Sequence, residues 1–194
     1  MNLVTVGTGE SLIDITSYIA SDDDCMHRIY RAQKNKLKML YDFQKYYDGY
    51  ATYYGADIKK VEGNTLVTSE TAQFFATGMI SWSMKFTYKD GKVKRTASQF
   101  TPTYEKNVKN WTAQRNLNLY QQSGSKTLAY TIKNGDVVQI NKIIFKDFKV
   151  YFQVINKSGK IGYLTCPKTF QSKNYFKESQ WQSSYIKGGV CYGM

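Results

Sequence analysis

The sequence predicts an all-β protein in two parts, an N-terminal antiparallel β domain followed by a small β-barrel. Three observations carry this. Between residues 81 and 89, Trp82, Met84, Phe86 and Tyr88 alternate with Ser81, Ser83, Lys85, Thr87 and Lys89. That period of two belongs to a strand with one face turned inward. Apolar runs elsewhere are short and rich in β-branched residues, as in Leu3–Val6 and Leu66–Thr68. Turn chemistry such as Asp90-Gly91 separates them, because Asp-Gly readily takes the positive φ that tight hairpins require.

From the N-terminus, Leu3–Val6 reads as a strand, and Gly7-Thr8-Gly9 as a loop. A lone Gly-x-Gly with no third glycine and no helix start gives no nucleotide site. Asp22-Asp23-Asp24 reads as a capped turn or solvated acidic patch, since the alternating ligands and trailing glutamate of a calcium loop are missing. Residues 36–47 fit two patterns. Leu37, Leu40, Tyr41 and Gln44 have helical spacing, while Leu37, Met39, Tyr41 and Phe43 alternate. The strand is preferred because the surroundings are rich in β signals. A turn at Glu62-Gly63-Asn64 joins residues 56–61 to residues 66–69, and Lys89–Lys92 closes the next hairpin.

Pro102, in the polar stretch Thr101–Asn107, marks a boundary, because proline cannot donate to a ladder. The division follows: residues 1–104 form the first domain, 105–111 a linker, and 112–194 a barrel with an extension beyond Cys166. In the second part, residues 115–120 alternate and Ser123-Gly124-Ser125-Lys126 opens a loop. Lys133-Asn134-Gly135-Asp136 turns into Val137–Ile140. Val150–Val154 is the next strand, and Asn156–Lys160 turns into Ile161–Leu164. Short strands at this spacing suit a small barrel, which removes exposed edges.

The order of these motifs resembles the bacterial SH3-like (SH3b) family. The matches are Leu117-Asn118-Leu119, Ser123-Gly124-Ser125, Lys133-Asn134-Gly135-Asp136, Tyr151-Phe152-Gln153-Val154 and Gly159-Lys160-Ile161-Gly162-Tyr163-Leu164, together covering residues 112–165. Tyr120 stands where the family has arginine, and tyrosines replace both of its tryptophans. The resemblance implies an SH3-like barrel in a secreted or surface protein of bacteria, where such modules bind peptidoglycan or act as spacers; the first part resembles, only loosely, β-rich domains of secreted Gram-positive proteins. A peptidoglycan reader needs aromatic faces for sugar rings. Tyr120, Tyr130, Tyr151 and Tyr163 are the candidate platform, with Phe152 beside them. The competing reading is that these rings fill the small barrel.

Charge narrows the partner. The chain has 27 Lys+Arg against 15 Asp+Glu, a formal +12, with residues 1–110 holding 15 against 12 and residues 111–194 holding 12 against 3. A basic half of this kind attracts anionic polymers. Only Arg28, Arg31, Arg95 and Arg115 are arginines. Base-edge readout and bidentate phosphate grip favour arginine, so nucleic acid ranks below an anionic wall polymer. Another surface protein is the alternative partner, for an extracellular interaction or scaffold domain. Apolar residues make up 42% of the chain, which excludes the disordered class. The longest apolar runs, such as Ile143-Ile144-Phe145, fall far short of the roughly 20 residues of a spanning helix, so no transmembrane segment is expected. No apolar stretch follows Met1, so a secretory signal is not expected within this chain.

Catalytic chemistry is sparse. His27 is the one histidine, and Cys25 lies two residues before it, on the same face of a strand. Acidic neighbours hold such a thiol protonated and blunt it, so an incidental role is expected and the protein reads as non-enzymatic. Without Cys-x-x-Cys and with one histidine, no zinc site is expected, and nothing in the spacing requires a cofactor. Cys166 and Cys191 bracket the C-terminal extension and can close it as a disulfide in an oxidising compartment. Closure of such a loop is worth roughly 3 kcal/mol.

Overall fold

The computed structural model describes residues 1–18, 25–46, 50–74, 76–103, 111–168 and 185–188. The acidic run Asp22–Asp24, Cys191, and most of the expected linker and C-terminal extension lie outside them. The protein is all-β, with curled sheets, and among the described residues the sole helical element is a 3-10 turn, Gln44–Tyr46. No helix there is long and apolar enough to cross a membrane.

Three antiparallel sheets build the molecule. The first is a meander of β1 (Asn2–Thr5), β2 (Ser11–Tyr18), β3 (Cys25–Gln33) and β4 (Lys36–Asp42), in that order. Strand β4 settles the ambiguous stretch as a strand followed by the 3-10 turn, although its burial does not alternate: Leu37 and Met39 stay half exposed. The second sheet contains β5 (Ala51–Glu62), β6 (Thr65–Phe74) and β7 (Gly78–Lys89). The outer edge of β7 is shared by β8 (Lys92–Arg95) at one end and a later short strand at the other. Both hairpin turns expected here form: Gly63 and Asp90-Gly91 have positive φ, and the strands pair Glu62 with Thr65 and Lys89 with Lys92.

The chain then crosses between sheets. Strand β9 (Gln99–Phe100) pairs with the third sheet, while β10 (Pro102–Thr103) pairs with β7. Pro102 therefore sits on an edge, where its missing N–H costs nothing. The third sheet collects β11 (Trp111–Ala113), β12 (Leu117–Tyr120), β13 (Leu128–Ile132), β14 (Val137–Lys146), β15 (Lys149–Asn156), β16 (Ile161–Thr165) and β17 (Ile186–Lys187). Its order is β13-β12-β16-β15-β14-β11-β17, with β9 also on β14. The turn at 133–136 is held by the Lys133 N–H donating to Asp136 Oδ2, and the turn at 156–160 by three donors converging on Asn156 Oδ1.

Strand β7 ties the halves together. Its Trp82, Met84, Phe86 and Tyr88 are all buried, as the alternation requires. At one end Phe86 meets Tyr41 and Phe43 of the first sheet's side edge-on, at 4.9 and 5.0 Å. At the other end Trp82 lies 6.1 Å from Phe145 of β14, and its neighbour Phe74 meets Phe152 edge-on at 5.3 Å. Such aromatic pairs add about 0.5–1.5 kcal/mol each beyond area burial. The Ile186 N–H donates to the Ala76 carbonyl, a further link across residues 104–110. Phe152 is thus a core residue, and Trp111, placed in the linker by the sequence, is buried in β11.

Gly7 has a structural role. Its N–H donates to the Gly63 carbonyl at 2.8 Å, and a Cβ at position 7 would lie 2.9 Å from the Gly63 Cα. The two hairpin turns touch backbone to backbone, which only glycine permits.

Candidate functional site

Strand register sorts the four candidate tyrosines. Tyr120 on β12 pairs with Tyr163 on β16, and Tyr163 pairs with Gln153 on β15. Tyr151 precedes Gln153 by two residues, so Tyr120, Tyr163 and Tyr151 share one face. On that face Asn141 Nδ2 donates to Gln153 Oε1, and Gln153 Nε2 donates to Tyr163 Oη, both at 2.7 Å. Tyr130 belongs to the opposite face, paired with the buried Leu119. Its hydroxyl donates to the Lys160 carbonyl at 2.9 Å, and burial pushes its pKa up to about 12. The expected four-ring platform is therefore three rings on one face and one on the other. Tyr151 is only 4% exposed, which leaves Tyr120 and Tyr163 as the half-buried rings of that face.

A larger feature lies where the three sheets meet. A cleft of about 760 Å³ opens between the edge strand β4 and the β14–β15 hairpin. One wall is Met39, Leu40, Tyr41 and Asp42, continued by Lys45 in the 3-10 turn; the other is the hairpin tip, Lys146-Asp147-Phe148-Lys149. The buried rings of Tyr50 and Phe145 form its floor. Arg95, at the end of β8, lies 5.0 Å over the Phe145 ring, and Lys168 lies 5.0 Å over Tyr50. A second groove of about 510 Å³ along residues 93–98 shares Tyr41 and Arg95 with it.

Each wall has a local cause. Asp14 and His27 face inward from β2 and β3, both buried, with His27 Nε2 2.6 Å from Asp14 Oδ1. The His27 ring stacks on Phe43 at 4.0 Å and 4° between planes, and the Phe43 N–H donates to the His27 carbonyl. This fixes the chain between Tyr41 and Lys45. Asp42 is held by Arg28 at 2.9 Å and accepts the Gln44 N–H, which starts the 3-10 turn. The opposite wall is a two-residue hairpin in which Lys146 pairs with Lys149, and Asp147 and Phe148 have φ of 51° and 56°. Asparagine, aspartate or glycine is the usual occupant of the first such position and glycine of the second. Here they hold an acid and a phenylalanine whose ring is 94% exposed.

Among the described residues, the lining of the cleft is electropositive. Lys45, Arg95, Lys146, Lys149 and Lys168 line it against Asp42 and Asp147, and Asp42 is already spent on Arg28. A concave surface with one dominant sign concentrates counter-charged ligands. Aromatic floor and cationic rim together suit a ligand that is anionic and has apolar faces.

Among the described residues, the imidazole and the thiol are buried and do not line the cleft. His27 is buried on Asp14 and Phe43. Cys166 is a buried thiol whose Sγ lies 4.0 Å from the Tyr50 carbonyl. Burial pushes that thiol's pKa up, which suppresses the reactive thiolate. Burial, with Cys166 and Tyr151 nearby, also raises the Tyr50 pKa. Cys191, the expected bridge partner, lies outside the described residues.

Sequence reasoning missed the cleft because its residues come from five separate segments between positions 39 and 168. One local signal was available: Lys-Asp-Phe-Lys at a tight turn, with an aromatic where glycine belongs. No family model, curated protein or solved structure matches this chain.

Proposed function

We propose that this chain is a non-catalytic, secreted or surface-held bacterial protein that binds an anionic cell-wall polymer in the cleft between β4 and the β14–β15 hairpin. The observation that carries the reading is the lining: among the described residues, five cationic side chains over buried tyrosine and phenylalanine rings, against two acids. The resemblance of residues 112–165 to the SH3b family supports an envelope setting. The sequestered His27 and protonated Cys166 support binding rather than chemistry.

Co-sedimentation with purified cell walls tests this. At about 0.1 M salt the protein pellets with walls. It is released towards about 1 M, where the screening length falls from about 10 Å to about 3 Å. Walls stripped of anionic polymer by acid extraction retain much less of it. Failure to pellet at low salt with intact walls contradicts the proposal. A second reading, docking to another surface protein, is favoured by the exposed Leu37 and Met39 on the edge strand β4. That reading predicts that stripping the polymer leaves binding unchanged.

A further inference from the structure

The hairpin tip carries more information than charge alone. Asp147 and Phe148 both occupy the left-handed region, which a residue with a Cβ enters only at a cost and a bulky one rarely. The ring that bears this cost is 94% exposed, so packing does not repay it. It does line the cleft, as does the half-exposed Met39 of β4, and it sits in the turn between two lysines in register. An exposed aromatic and a methionine ask for an apolar ligand surface, while the lysines ask for negative charge.

A ligand that meets both demands alternates anionic groups with ring faces. Inorganic polyphosphate offers only charge, and a neutral glycan only rings. Sugar rings present C–H faces that stack on aromatic side chains, and their substituents place phosphate or carboxylate beside them. Single-stranded nucleic acid also alternates phosphates with rings. The rim, however, is lysine-dominated: its only arginine, Arg95, lies over the Phe145 and Phe100 rings. Lysine acts as a point charge without base-edge specificity.

We propose that Phe148 is the residue that reads the ligand, and that the ligand is a polyanionic glycan whose sugar faces stack on Phe148 while Lys146 and Lys149 hold its charges. This rests on the reading of the cleft as a polymer site.

Affinities of three proteins for three probes test it. The proteins are the wild-type chain, Phe148→Gly, and the double variant Lys146→Glu/Lys149→Glu. The probes are a purified wall polymer of phosphate-linked sugar units, long-chain inorganic polyphosphate, and a single-stranded oligonucleotide. Glycine suits the left-handed turn, so Phe148→Gly keeps or raises the melting temperature and its binding defect is not misfolding. The expected result is about a tenfold loss for Phe148→Gly on the sugar-phosphate polymer, the size of one aromatic stack. On polyphosphate it changes less than about twofold, and the charge-reversed variant loses both. Equal affinity of Phe148→Gly and wild type for the sugar polymer overturns the role of Phe148, as does an equal loss on both polyanions. Tighter wild-type binding to the oligonucleotide than to the sugar polymer overturns the glycan assignment. A wild-type chain that binds none of the three overturns the cleft reading itself.

Discussion

Gly162 on β16 shows how little room single atoms leave in the third sheet. A Cβ there would meet the Leu119 Cβ at 2.6 Å and Tyr130 Cε1 at 2.9 Å. The Leu119 Cβ is fixed to its backbone and cannot swing away. Gly162→Ala must therefore push β12 from β16, and overpacking of this kind costs about 1–3 kcal/mol. A lower urea midpoint with an unchanged slope is the expected readout. Tyr130, against the same glycine, makes stability depend on alkaline pH. Its pKa is pushed up to about 12 by burial, above the roughly 10 of an unfolded tyrosine. The native state thus keeps the phenolic proton longer. Its contribution is fully present below about pH 10 and is lost as pH rises to about 12. Melting temperature should fall less steeply across that window in Tyr130→Phe than in wild type; parallel curves contradict the assignment. Phe148 tilts the other way. Relieving a left-handed phenylalanine returns about 1–2 kcal/mol, and glycine's extra chain entropy takes back about 0.5–1. Phe148→Gly should accordingly raise stability by up to about 1.5 kcal/mol.

Individual elements were legible wherever their signals are local. The alternation at 81–89 became β7 because period two depends only on neighbours along the chain, and the turns at Gly63, Asp90-Gly91, Gly135 and Gly159 carry their own positive φ. Less legible were elements whose partners are distant. Residues 128–132, with no marked pattern, become β13 by pairing with β12. The strand beginning at Val137 runs on to Lys146 through an irregularity at Asn141 that alternation cannot reveal. The two-residue β9 and β10 exist only because β14 and β7 offer free edges. The four tyrosines divide between faces for a related reason: face membership depends on register, and Tyr130 pairs out of step with the other three. His27 meets Asp14 through the β2–β3 register and Phe43 through the β3–β4 pairing, neither of which the sequence shows locally. That trio sets the β4 wall of the cleft. Asp14→Ala removes the 2.6 Å hydrogen-bond partner of a buried imidazole and should destabilise by about 1–3 kcal/mol. Chemical denaturation checks this, and a cost near zero would show the pair to be incidental.

At the scale of the molecule, the sequence suggested two units divided near residues 105–111, while the core runs across that stretch. Trp82 meets Phe145, Phe74 meets Phe152, and β9 adds to β14. Far-ultraviolet circular dichroism and tryptophan fluorescence should therefore report one coincident thermal transition; two resolved transitions contradict a shared core. The charge is likewise assembled from both parts. The excess in residues 111–194 supplies Lys146, Lys149 and Lys168 to the cleft, and the nearly balanced first part adds Lys45 and Arg95. No local motif shows this, because the convergence is made by three sheets meeting. The site itself can be mapped on the isotope-labelled protein by titrating it with purified anionic wall polymer and following backbone amide resonances. The account predicts saturable shifts concentrated at residues 39–45, Arg95, 145–149 and Lys168. Shifts confined to the Tyr120 and Tyr163 face, or none at a saturating excess of polymer, would contradict it.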